Sequence, residues 1–400
     1  MAYHQPAPVK ALLIDIFRIP IRRGALAAVA LLASCSHSDA FSPTTSRLGP
    51  FTTGDEVQLT YNLDQDYWPT WTEDGQGILY AFVNPGASVG HRCVGLLPAA
   101  GGTRLWELCD NRYVRRDSLS SYSAYALDST GRLLLAEAVS PRGFDFPLHA
   151  VLFLTDTANP YLRSSLLTLP ITAGNVTITW LSDLAWTSPN GFIALGQQFN
   201  SGPHCYRCAC GPCPTDSIFG NNGVVVVGAI AGGAATVRAV DGTQGAQGYA
   251  LSDDRTTVFF FRFGDRRLLK VALAGGAATP VATISDDAGQ SLIGVTCRAT
   301  TCVVATAPVL LTKPDVFGFT LLTDSTSYLV TVSLTDGSTH PIDSFAGILA
   351  TPQMSRSGDL VVAFGAIVGS LDAGPAPVLG HLATFAGGNS DLRLYKGFVR

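Results

Sequence analysis

The densest chemistry in this chain is a run of cysteines. Cys205, Cys208, Cys210 and Cys213 lie within Cys205-Tyr206-Arg207-Cys208-Ala209-Cys210-Gly211-Pro212-Cys213, with His204 beside them. As a metal site, four thiolates form a soft ligand set able to hold zinc tetrahedrally. As structure, the same residues make two local disulfides that pin an insertion. The spacing lacks the two separated ligand pairs of a zinc knuckle, and an exported chain favours oxidised thiols. The disulfide reading is therefore preferred over a metal or redox role, with the pairing inside the cluster left open.

Other catalytic patterns are weaker. Gly86-Ala87-Ser88-Val89-Gly90 fits the G-x-S-x-G nucleophile elbow, but that motif works on a strand-to-helix turn, and here Asn84-Pro85 precedes it and a strand-like run follows. The seven histidines are scattered and form no H-E-x-x-H pair. Carboxylates such as Asp64, Asp66, Asp253 and Asp254 sit where turn and cap chemistry accounts for them. No catalytic residue, metal site or cofactor is assigned, and binding is favoured over catalysis.

The next informative segment is at the start of the chain. Lys10 and the pair Arg22-Arg23 precede the apolar run Gly24 to Ala33, which is too short to span a bilayer as a helix. A basic region, a short apolar run and small residues before a cleavage point are the layout of a secretory signal. Leu32-Ala33-Ser34-Cys35 resembles the bacterial lipobox at all four positions, which implies cleavage before Cys35 and a diacylglycerol thioether on its sulfur. Residues 1–34 are thus expected to be a lipoprotein signal peptide. Residues 35–54, rich in Ser, Thr and Pro, are expected to be a lipidated flexible tether. The body would then be held to a membrane only by lipid, in the cell envelope, as an outer-membrane lipoprotein facing the periplasm or the cell surface.

Eight cysteines remain once Cys35 is set aside, an even number for an oxidising compartment. Cys93 and Cys109 are symmetric about Gly101-Gly102, so an antiparallel hairpin turning there places them opposite each other. Cys297 and Cys302 flank the turn Arg298-Ala299-Thr300-Thr301 in the same way. Both pairs are expected to be disulfides.

The 400 residues are 47% apolar and 14% charged, enough to bury a core. The net charge of −4, without long charge runs, argues against nucleic acid as a partner. From Val57 the chain reads as a repeat: Val57 to Asn62, then Asp64 and Asp66, then Trp68-Pro69-Thr70-Trp71-Thr72-Glu73-Asp74-Gly75, then Ile78-Leu79-Tyr80-Ala81-Phe82. Asp-Gly supplies the positive φ of a tight turn, and the apolar flanks supply its strands. Degraded copies run through Ala126 to Leu135, Ala185 to Leu195, Ala250 to Phe261, Val295 to Val304 and Gln353 to Val362, giving six units.

This pattern resembles the TolB-type propeller repeat, a WD-repeat-like unit with Thr72 where serine is usual. The resemblance implies an all-β fold, a six-bladed β-propeller of four-stranded antiparallel blades over residues 55–400. An isolated blade cannot cover both of its faces, and closing six into a ring does so. After the sixth unit only Leu392 to Tyr395 remains as a third strand, so Val57 to Asn62 is expected to complete the last blade. In the TolB family the propeller docks a peptidoglycan-associated lipoprotein. This chain departs from that family in lacking its α/β N-terminal domain and in carrying its own lipid. The implied function is a monomeric binding scaffold for an envelope protein or peptide, or a glycan. The alternative is a propeller hydrolase or lyase acting on glycans.

Overall fold

The apolar run after each turn becomes the second strand of an antiparallel sheet. The computed structural model describes residues 45–46, 56–60, 66–83, 92–109, 118–141, 149–198, 223–262, 265–284, 290–311, 319–321, 326–365 and 390–398, all within the unit Asp39–Arg400. Among the described residues there are strands and turns and no helix. Blade one comprises Asp66–Trp71, Gly77–Val83, Arg92–Pro98 and Trp106–Leu108. Blade two comprises Ser118–Leu127, Arg132–Pro141, His149–Asp156 and Ser164–Thr168, and blade three Trp180–Ser188, Gly191–Gln197, Gly223–Ala231 and Ala234–Ala239. Blade four comprises Ala246–Leu251, Thr257–Arg262, Arg267–Ala272 and Thr279–Thr283, and blade five Gln290–Arg298, Thr301–Leu311, Thr326–Ser333 and Thr339–Ala346. Blade six comprises Ile348–Met354, Leu360–Gly365 and Ser390–Tyr395, and its fourth strand is Glu56–Gln58.

The ring therefore closes where the strand count required. Glu56 pairs with Tyr395, Val57 with Leu394 and Gln58 with Arg393, and the Leu59 N–H donates to the Leu392 carbonyl at 2.7 Å. Thr45–Ser46, within the segment read as a tether, adds a short further strand against Val57 and Glu56. Two other pieces lie outside the repeat. Ile171–Ala173 and Val176–Ile178 form a separate hairpin between blades two and three, and Phe319–Leu321 pairs with the end of Thr301–Leu311.

The core is divided by the ring rather than centred. Six apolar clusters are described, and each straddles one junction between consecutive blades, the last joining blade six to blade one. Strand alternation explains this. In the second strand of blade one, Ile78, Tyr80 and Phe82 pack toward blade six, while Leu79 and Ala81 pack toward blade two. Phe259 and Phe261 likewise face blade five, whereas Val258 and Phe260 face blade three. With both faces covered, these strands are continuously apolar. Burying one leucine or phenylalanine this way contributes roughly 1.5–3 kcal/mol, so each junction depends on its two blades being neighbours.

Candidate functional site

The six first strands surround the central channel, and each is bent there by an extra residue against its partner, with a second in blade three between Trp186 and Ser188. The register slips between Tyr67 and Thr70, Tyr122 and Ala124, Ser182 and Ala185, Ala246 and Gly248, Leu292 and Gly294, and Ala350 and Gln353. A bulge interrupts the ladder and re-aims the side chains beside it. In blades one, three and six it carries a non-glycine residue at positive φ: Trp68 at 55°, Asp183 at 48° and Thr351 at 47°. Conformations of this kind cost on the order of 1–3 kcal/mol and persist only when the surroundings hold them.

For two of the three, the next blade supplies the hold. The Tyr125 hydroxyl donates to the Trp68 carbonyl at 2.6 Å, and the Tyr249 hydroxyl donates to the Asp183 carbonyl. Burial, with the nearby Asp183 charge, pushes the Tyr249 phenol well above its usual range, so it remains a donor. These bulges frame an inner cavity of about 180 Å³ whose lining includes Trp68, Tyr125, Tyr249, Thr70, Thr351 and the carboxylate Asp183. The Thr351 hydroxyl is buried and has no hydrogen-bond partner among the described residues.

Where the first strands turn into the second strands, the channel widens into a second cavity of about 280 Å³, here called the turn mouth. Side chains of the turns themselves shape it. Thr72 donates to Asp74 at 2.6 Å and accepts from the Gly77 N–H at 2.9 Å, and Ser252 repeats this with Asp254 and Thr257. In blade two Asp128 takes the Thr72 position; burial alone would raise its pKa, but hydrogen bonds from the Thr130 hydroxyl and from Arg132 outweigh burial and hold it below the usual carboxylate value. The positive-φ turn residue is Gly75, Gly131 and Gly358 in blades one, two and six, but Arg255 (φ 58°) in blade four and Ala299 (φ 50°) in blade five.

Arg255 thereby reaches the axis. Its Nη2 lies 3.3 Å from Oε1 of Glu73, on the opposite blade, and it also donates to the Thr187 carbonyl of blade three. The same Glu73 oxygen accepts from Nη2 of Arg356 at 3.1 Å. Arg298 pairs with Asp253 and donates to the Arg356 carbonyl at 2.8 Å. Trp186 Nε1 donates to the Ala126 carbonyl at 3.1 Å, Trp71 Nε1 to the Gln353 carbonyl at 2.9 Å, and the Glu73 N–H to the Leu127 carbonyl at 3.1 Å. All six blade junctions are thus bonded at the turn mouth.

The cysteine pairs fall as the hairpins require. Cys93 and Cys109 are bonded with Cα atoms 4.5 Å apart, and Cys297 and Cys302 are bonded at 3.9 Å. Cys35, the Cys205, Cys208, Cys210 and Cys213 cluster, His204 and the Ser88 motif lie outside the described residues. Of the histidines, only His149 and His340 are described, and they belong to different blades. Trp68, Trp71 and Trp186 sit at blade junctions, as their repeat positions suggested. Sequence reasoning missed Asp183, Glu73, Arg255 and Arg356. One signal was present: an arginine follows Asp254 where the turns of blades one, two and six have glycine.

No protein-family model matches the chain, and no curated protein matches it. Among solved structures it is similar to a gluconolactonase from Xanthomonas campestris, with 14% identity, 90% of this chain and 95% of that chain covered, and a TM-score of 0.47. It is similar to an oligogalacturonate lyase from Vibrio parahaemolyticus, with 11% identity, 90% and 97% covered, and a TM-score of 0.46. It is also similar to TolB from Acinetobacter baumannii, with 13% identity, 72% and 61% covered, and a TM-score of 0.41.

Proposed function

We propose that this protein is an envelope lipoprotein, anchored through Cys35, whose propeller binds a protein, peptide or glycan. The observation that carries the binding reading is the inner cavity. Its wall combines aromatic rings, Trp68, Tyr125 and Tyr249, with the hydroxyls of Thr70 and Thr351. Aromatic faces beside a few placed polar groups are the usual make-up of a recognition pocket. The unpartnered Thr351 hydroxyl supports it, because a buried polar group gains most from a ligand that completes its hydrogen bonds. The anchoring reading rests on the lipobox and the even set of remaining cysteines.

Two measurements test it. Cells fed a labelled fatty acid should label the wild-type chain and leave Cys35→Ala unlabelled. Purified protein should be retained by members of a peptide and glycan array, and Thr70→Trp, which fills the channel, should abolish that retention. Turnover of a glycan panel without stable retention would replace the binding reading with a hydrolase or lyase.

A further inference from the structure

Two arginines converge on a single carboxylate oxygen in the turn mouth, and the contact is poor for such a pair. Arg255 and Arg356 both address Oε1 of Glu73, at 3.3 and 3.1 Å, whereas charge-assisted hydrogen bonds usually measure about 2.7–2.9 Å and an arginine fork prefers two oxygens. The charges do not cancel. Three arginines, Arg255, Arg298 and Arg356, line this cavity against two carboxylates, Glu73 and Asp253. Arg298 and Asp253 satisfy each other, which leaves two guanidinium groups sharing one carboxylate.

The backbone of Arg255 strengthens the point. Three sibling turns have glycine at this position, and Arg255 adopts the same left-handed conformation with a side chain attached. Such a backbone is costly for a residue that carries a side chain, and a partly exposed ion pair returns little of that cost. The bond to the Thr187 carbonyl uses Nη1 alone and leaves Nη2 directed at Glu73. This placement makes sense if the guanidinium group serves a ligand.

We propose that the turn mouth binds the C-terminal carboxylate of a peptide, and that Glu73 occupies this place until the ligand displaces it. A ligand carboxylate entering along the axis meets both forks and forms paired N–H···O bonds where Glu73 offers one oxygen. The remaining wall selects what precedes that carboxylate. Trp71, Leu127, Leu184, Trp186 and Met354 line the same cavity, a surface suited to an apolar last side chain rather than to a hydroxyl-covered sugar acid. This inference concerns the turn mouth, which adjoins the inner cavity and shares Thr70, Leu184 and Met354 with it, and it rests on the arginines and Glu73, which line the mouth and not the inner cavity.

The test is titration calorimetry on the full chain, using an N-acetylated pentapeptide ending in Phe-Leu as the free acid, its C-terminal amide, and digalacturonate. The free acid should bind and the amide should not. Glu73→Gln should tighten the acid by about tenfold, the gain from removing an internal competitor that fills the site most of the time. Arg255→Gly, which restores the sibling turn and so keeps the fold, should abolish binding, as should Arg356→Gln. Equal binding of acid and amide, no binding to Glu73→Gln, or full binding to Arg255→Gly overturns the proposal. Preference for digalacturonate over the peptide acid overturns the peptide assignment.

Discussion

The Tyr125 hydroxyl donates to the carbonyl of Trp68 across the first blade junction, at 2.6 Å, and so holds a residue whose φ is 55°. Tyr249 does the same for Asp183 two junctions further round. Both tyrosines stand two residues beyond the bulged position of their own strand, so the device belongs to the repeat rather than to one blade. Blade five has Val295 at the corresponding position.

The first prediction follows from that bond. Tyr125→Phe keeps the ring in the apolar junction and removes only the donor, leaving the buried Trp68 carbonyl without it. The expected loss is about 1–3 kcal/mol, read as a lower urea midpoint with an unchanged slope. Tyr249→Phe should behave alike, and the double variant should be nearly additive, because the two bonds lie at separate junctions.

The disulfides should differ in weight. Cys93 and Cys109 close a loop of sequence separation 16, and Cys297 and Cys302 one of 5. On loop-closure entropy the longer link is worth about 3 kcal/mol and the shorter about 2 kcal/mol. Paired serine substitutions, compared by urea unfolding, should reproduce that order. A larger loss at Cys297 and Cys302 would mean that the buried sulfur packing of Cys302, which is 0% exposed, outweighs loop entropy.

Much of the ring was legible because its signals are local. Asp74-Gly75 and Ser357-Gly358 announce turns, and Ile78 to Phe82 or Leu360 to Val362 announce strands covered on both faces. The closing strand was legible by counting, since the sixth unit lacked a partner for Leu392 to Tyr395. The site was less so. Glu73 and Arg255 are 182 residues apart, and Glu73 and Arg356 are 283 apart. Their meeting exists only once the ring has closed, and no local pattern encodes it. The bulges escaped for a related reason: the positive φ of Trp68 and Thr351 belongs to the curvature around the channel, which no local pattern encodes. The hairpin Ile171–Ala173 with Val176–Ile178 is a few residues long and carries too little periodicity to stand out.

An exposed turn in blade five gives a pH test. The Ser338 N–H, with the hydroxyls of Ser333 and Ser338, lowers the Asp336 carboxyl from 3.8 to about 2. A carboxylate depressed in the folded state stabilises fully above its unfolded pKa, and that contribution is lost as pH falls through the folded value. Asp336→Asn should therefore be less stable than wild type at pH 6, and the two should converge between pH 3.8 and about 2. Urea midpoints across that range provide the measurement, and a gap that stays constant with pH would show that the carboxylate charge is not what caps this turn.

The ring closure rests on a buried charge network that can be broken from one side. Arg393 Nε lies 2.6 Å from Glu56 on the closing strand, Nη1 lies 3.6 Å from Asp343 of blade five, and the guanidinium carbon is 4.1 Å from the Phe364 ring centroid. Tyr395 donates to the same Asp343 at 2.6 Å, and its phenol is raised above the usual range by burial and then by the Asp343 charge. The side chains of Arg393, Glu56 and Asp343 are 13%, 7% and 8% exposed, so removing the cation strands two carboxylates away from water. Breaking a buried ion pair from one side costs about 3–5 kcal/mol, mostly the penalty of the charge left behind. Arg393→Met should lose about that much. Adding Glu56→Gln should recover part of it, because one stranded charge is gone, and the pattern is non-additive because the groups touch. Hydrogen exchange locates the effect: in Arg393→Met the amides of Glu56 to Gln58 should exchange faster than those of blades two and three. Uniform acceleration throughout the ring would mean instead that the blades unfold as one unit and that closure has no separate stability.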